Sequence, residues 1–97
     1  MSKKLIVSEA AEMDIFMAML WYETQLAGLS VEFDRKLDEA FQKIKNNPAG
    51  FQKRHGKLRI IFLSKFPYGV HYLVQGDLIK IMAVFHTSRD PETWRDQ

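Results

Sequence analysis

The sequence predicts an α+β fold in the order β-α-α-β-β-β, with a helical hairpin packed on one face of a small, mostly antiparallel sheet. Three observations carry this reading. Apolar residues recur at helical spacing through two stretches of the first half, with Gly28 between them. Apolar and polar residues alternate in the second half on either side of Gly76-Asp77. The 97 residues show no repeat, linker or low-complexity break, which fits a single domain over residues 1–97.

The elements follow in order. Lys3 to Val7 is a short apolar-polar stretch that reads as a first strand. Ser8 is a good N-cap, and Glu9, Glu12 and Asp14 place negative charge in the first turns of a helix running to about Leu26. Gly28 suits the residue that ends it. Ser30 is expected to cap a second helix, whose Phe33, Leu37, Phe41 and Ile44 fall on one stripe and which Asn46-Asn47-Pro48 ends. Ala49 to Gly56 reads as a polar, basic loop. Strands are expected at Lys57–Leu63, Tyr68–Gln75 and Leu78–His86, the last two joined by a tight Gly76-Asp77 turn. A short helical turn is expected after Asp90-Pro91.

Composition excludes several classes. Hydrophobic residues make up 46% and charged residues 27%, as in ordinary soluble globular chains. There is no cysteine, which excludes disulfides and thiolate metal sites. The three histidines are too dispersed to suggest a metal site, and no cofactor is expected. No signal-like apolar stretch opens the chain, and Asp14 and Glu23 interrupt the longest apolar helix, so the expectation is a soluble cytoplasmic protein with no membrane partner. The net charge of +2 hides an asymmetry. Residues 1–47 hold six Lys/Arg against eight Asp/Glu, whereas residues 48–97 hold eight against four. A basic half suits an acidic partner, either phosphate or protein.

Strand parity gathers the cations. If Leu58, Ile60 and Phe62 face the helices, Arg59 faces away. If Ile79, Ile81 and Phe85 face the helices, Lys80, Met82, Val84 and His86 face away. With Val70, Tyr72 and Val74 inward, His71 and Leu73 lie outward. The face away from the helices is then expected to carry Arg59, His71, Lys80 and His86, bordered by Lys53, Arg54, His55 and Lys57. The first helix presents a second candidate surface. Ile15, Met19, Tyr22 and Leu26 make a core stripe, yet Phe16, Met17, Leu20 and Trp21 broaden its apolar surface. Such breadth marks either a partner site or a helix buried on both sides.

Taken in order, several short patterns resemble the RelE/ParE superfamily of bacterial type II toxins over nearly the whole chain. They are Ala10-Ala11-Glu12-Met13-Asp14-Ile15, Trp21-Tyr22, Phe33, Asn47-Pro48, Arg59 and Phe66-Pro67-Tyr68 with Tyr72. The closing His86-x-x-Arg89-Asp90-Pro91-x-x-Trp94-Arg95 completes the series. The resemblance implies a growth-inhibiting toxin encoded beside an antitoxin that folds onto it and blocks it. The RelE-like branch cuts mRNA at the ribosome without metal, whereas the ParE-like branch poisons DNA gyrase by protein binding.

The residues lean to ribosome-dependent mRNA cleavage. The alternatives are a gyrase inhibitor and an inactive member that only binds its antitoxin. In an endoribonuclease, Arg59 would stabilise charge on the phosphate, His86 would move a proton, and Lys57 would complete the catalytic set. Lys53, Arg54, Lys80, Arg89 and Arg95 would hold flanking phosphates of the RNA. Phe16, Leu20 and Trp21 would receive the antitoxin. Thr87 stands where RNA-cleaving members often have tyrosine after the histidine, a departure from that branch. Arg59 also reads as a strand residue paired with a carboxylate such as Asp90, His86 as a ring bonded to backbone, and Trp94 as a cap over the sheet.

Overall fold

The computed structural model describes residues 3–88. The helical turn expected after Asp90-Pro91, and Arg89, Trp94 and Arg95, lie outside the described residues. The chain runs β1 (Lys4–Val7), α1 (Glu9–Gln25), α2 (Leu29–Asn46), β2 (Lys53–His55), β3 (Leu58–Phe62), β4 (Tyr68–Gln75) and β5 (Leu78–His86). The strands form one sheet in the order β1-β5-β4-β3-β2, antiparallel except for β1, which runs parallel to β5. This is the expected α+β architecture, with one addition. Lys53–His55, inside the segment expected to be loop, pairs with β3 as a short edge strand.

Ser8 caps α1 as expected, its hydroxyl accepting the Ala11 N–H at 3.1 Å. The start of α2 differs. Gly28 is its N-cap, in the left-handed region at φ 89°, where only glycine sits without strain, and it has no side chain to satisfy the first N–H groups. Glu23 of α1 does so instead. Its carboxylate accepts from Gly28 N at 2.9 Å, Ser30 N at 3.2 Å and Ser30 Oγ at 2.6 Å. Ser30 is therefore a donor inside the first turn and not the cap.

The core lies between the helices and one face of the sheet. Ala11, Ala18 and Tyr22 of α1 and Phe33, Leu37, Ala40 and Ile44 of α2 pack on Ile61, Val70, Tyr72, Ile79, Ile81 and Val84. Tyr22, Phe33, Phe66 and Tyr68 form an aromatic cluster with ring centroids 4.9–6.0 Å apart. Phe66 and Tyr68 thereby fix the turn between β3 and β4.

Two parity expectations are reversed. In β3, Ile61 joins the helix-facing core, while Phe62 lies with Gly69 and Phe85 on the other side. Ile60 and Ile61 are both buried, so this strand is apolar on both faces and its alternation carried no sign. In β5 the register with β4 passes from Tyr72–Ile81 to His71–Ala83 and skips Met82. This bulge turns every later residue over. Lys80 faces away from the helices, as expected, but Val84 and His86 face them and Phe85 does not. Gly69 permits the second packing layer, because a Cβ there would stand 2.7 Å from Phe85 Cζ.

Candidate functional site

The expected cationic cluster is dispersed. Arg59 pairs with Tyr72 across β3 and β4, so it lies on the helix side, where its Nη1 donates to the Phe51 carbonyl at 2.7 Å. Tyr72 in turn donates its hydroxyl to Pro48 O at 2.7 Å. Both side chains fasten the segment between α2 and β2. Lys53 is opposite Arg59 on the same side, and Lys57 is exposed in the β2–β3 turn. Lys80 is half-buried at the other end of the sheet, opposite Leu73. His86 pairs with Tyr68, four residues along β4 from Tyr72. Arg59 and His86 are therefore separated by roughly 13 Å along the sheet and about 10 Å across it. Groups acting on one phosphate must converge to hydrogen-bond distance, which these do not.

His71 does face away from the helices, but it is 2% exposed and its ring lies 4.5 Å from that of Phe85. Burial, reinforced by the Arg54 guanidinium, pushes its pKa down to about 4. It is a neutral core residue and not a surface cation. Arg54 remains exposed.

The first helix keeps its expected role as a surface. Ala11, Ala18 and Tyr22 face inward, while Met13, Phe16, Met17, Leu20 and Trp21 are each more than half exposed. The helix is thus not buried on both sides. Met13, Phe16, Met17 and Leu20 follow the spacing i, i+3, i+4, i+7 and form a single stripe. That spacing was the available signal for Met13, which sequence reasoning passed over. Leu26 is exposed just beyond the helix, so it is not part of the core stripe assigned to it.

Beside this stripe, a groove of about 530 Å³ opens between α1 and the end of β5, lined by Asp14, Met17, Ala18, Trp21, Tyr68, Val84, His86 and Ser88. His86 packs edge-on to Tyr68 with centroids 5.2 Å apart, and its Nδ1 accepts the Ser88 N–H at 3.1 Å. Asp14 accepts the Val84 N–H at 3.0 Å. The groove joins residues far apart in sequence, and only an acid placed within an apolar helix hinted at it. Among the described residues, no three His, Asp or Glu side chains gather as metal ligands, and no helix is long and apolar enough to cross a membrane.

The fold has known counterparts. It superposes on a chain described as the chromosomal ParDE TA system from P. aeruginosa with a TM-score of 0.77 and 16% identity, covering 87% of this chain and 95% of that one. At that identity the likeness is one of fold. No curated protein matches the sequence. The family model for the ParE toxin of the type II toxin–antitoxin system parDE matches residues 5–91. With nearly its whole length matched, the chain belongs to the ParE toxin family of type II toxin–antitoxin systems.

Proposed function

We propose that this chain inhibits bacterial growth by binding a protein target, DNA gyrase in the bacterial cytoplasm, and that a cognate antitoxin neutralises it by covering α1 at Phe16, Leu20 and Trp21. The observation that carries this reading is the contrast between its two candidate surfaces. Arg59 is committed to the Phe51 carbonyl, remote from His86, whereas α1 holds a contiguous exposed apolar stripe. An apolar stripe is a protein-binding feature. Ribosome-dependent mRNA cleavage would need Arg59, His86 and Lys57 on one phosphate, and their spacing gives that reading no support.

Controlled expression tests the proposal. The expected outcome is an induced DNA-damage response and loss of supercoiling by purified gyrase, both prevented by co-expression of the protein encoded by the adjoining gene. New codon-phased transcript ends by primer extension, with supercoiling intact, would overturn it in favour of mRNA cleavage.

A further inference from the structure

The chain carries a net charge of +2, yet no Lys, Arg or His lies between Lys4 and Arg35. That stretch of 30 residues spans all of α1 and the start of α2, and it contains six acids: Glu9, Glu12, Asp14, Glu23, Glu32 and Asp34. On α1, at 100° per residue, Glu12 and Glu23 border one side of the Met13–Leu20 stripe and Asp14 the other, while Glu9 continues its line at the N-terminal end. Glu9 and Glu12 make no ion pair with any described residue. On α2, Arg35 pairs with Glu32 and Lys36 with Glu39. His86 stands across the groove, bonded to Ser88.

An apolar stripe whose charged neighbours on α1 are all acids selects its occupant by charge. A second copy of the chain would place acid rim against acid rim, and nucleic acid or an anionic bilayer would be repelled. We infer that α1 receives an amphipathic helix with an apolar stripe at i, i+3, i+4, i+7 and Lys or Arg on both flanks of that stripe. From Glu9 to Thr24 the surface runs roughly 22 Å, so about four helical turns cover it. The groove beside Trp21 accepts one larger side chain from that helix. The inference rests on the reading of α1 as the antitoxin-docking face and assigns the chemistry of the docking segment. It makes that segment basic where it meets α1.

Two labelled synthetic helices of about 16 residues test it, identical in their Leu stripe and flanked by Lys in one and Glu in the other. Binding to the full chain is followed by anisotropy at low and high salt. The Lys-flanked peptide is expected to bind at least about 10-fold tighter at low salt, with the preference shrinking as salt screens the rim. Glu9→Lys with Glu12→Lys is expected to erase or invert the preference. Phe16→Ser with Leu20→Ser is expected to abolish binding of both peptides, with an unchanged melting curve as the folding control and Met13→Ser with Met17→Ser as the second pair. Equal affinity for the two peptides overturns the inference, as does binding indifferent to the stripe variants. Self-association of the chain that Phe16→Ser disrupts overturns it too. Failure of the neighbouring gene's product to bind the unaltered chain would sink the antitoxin reading instead, and peptide selectivity is read independently of it.

Discussion

The Asp14 carboxylate of α1 accepts the backbone N–H of Val84 in β5 at 3.0 Å. Ser8 completes the arrangement, its N–H donating to Ile81 O at 3.0 Å and its hydroxyl to Met82 O at 3.3 Å. β1 ends at Val7 opposite Ile81, so Ser8 and Asp14 take up the backbone groups of β5 around the bulge at Met82. The same bulge turns His86 into the groove beside Trp21.

Removing that acceptor should be costly. Asp14→Ala is expected to destabilise the fold by about 1–3 kcal/mol, because it strands a part-buried N–H. Asp14→Asn keeps a carbonyl acceptor and should cost less. Urea melts of the three proteins measure the difference, and equal midpoints for Asp14→Ala and the parent would contradict this role.

His71 makes stability pH-dependent. Its folded pKa of about 4 lies below the ordinary 6.5, so the unfolded chain binds the extra proton between those values. The contribution is full above about pH 6.5, is lost as pH falls toward 4, and amounts to roughly 3 kcal/mol over that window. Replacing the ring by an apolar side chain, His71→Leu, should flatten the profile of unfolding free energy between pH 7 and 4. An unaltered slope would show that other groups dominate.

Arg59 is expected to act on stability. Arg59→Ala leaves the Phe51 carbonyl without its charged donor and should cost roughly 1.5–3 kcal/mol, with loosening of the α2–β2 segment seen by hydrogen exchange. A variant that kept full stability while losing growth inhibition would reassign Arg59 to target binding.

Gly69 should resist enlargement. A Cβ at this position meets the Phe85 ring, which is held against His71, so Gly69→Ala is expected to lose about 1–3 kcal/mol through overpacking. Adding Phe85→Leu should recover part of that loss, since it shortens the obstructing side chain. A double-mutant cycle with no coupling energy would refute the contact as the cause.

The α1 stripe should matter for binding and little for folding. Phe16→Ser and Leu20→Ser are each expected to weaken antitoxin binding by about 30-fold. Both are exposed, so the melting temperature should move little. Calorimetric titration and thermal melts separate the two effects, and an unchanged affinity would place the antitoxin elsewhere.

The residues alone specify the element order, the Ser8 cap, the Phe33–Leu37–Ile44 stripe, the Gly76-Asp77 turn, and the apolar breadth of α1 around Phe16, Leu20 and Trp21. These are local signals, written in spacing and in residues that caps and turns require. Tertiary structure alone decided which way the strands face. Ile60 and Ile61 are both buried, so alternation in β3 had no preferred sign, and the Met82 bulge, beside which Ser8 and Asp14 bond to β5, reversed parity within that strand. The Gly28 cap went the same way, supplied by Glu23 from the preceding helix. The expected joining of Arg59 with His86 depended on parity and on register across three strands. Neither is encoded within one strand, because each depends on which neighbour satisfies its backbone and covers its faces.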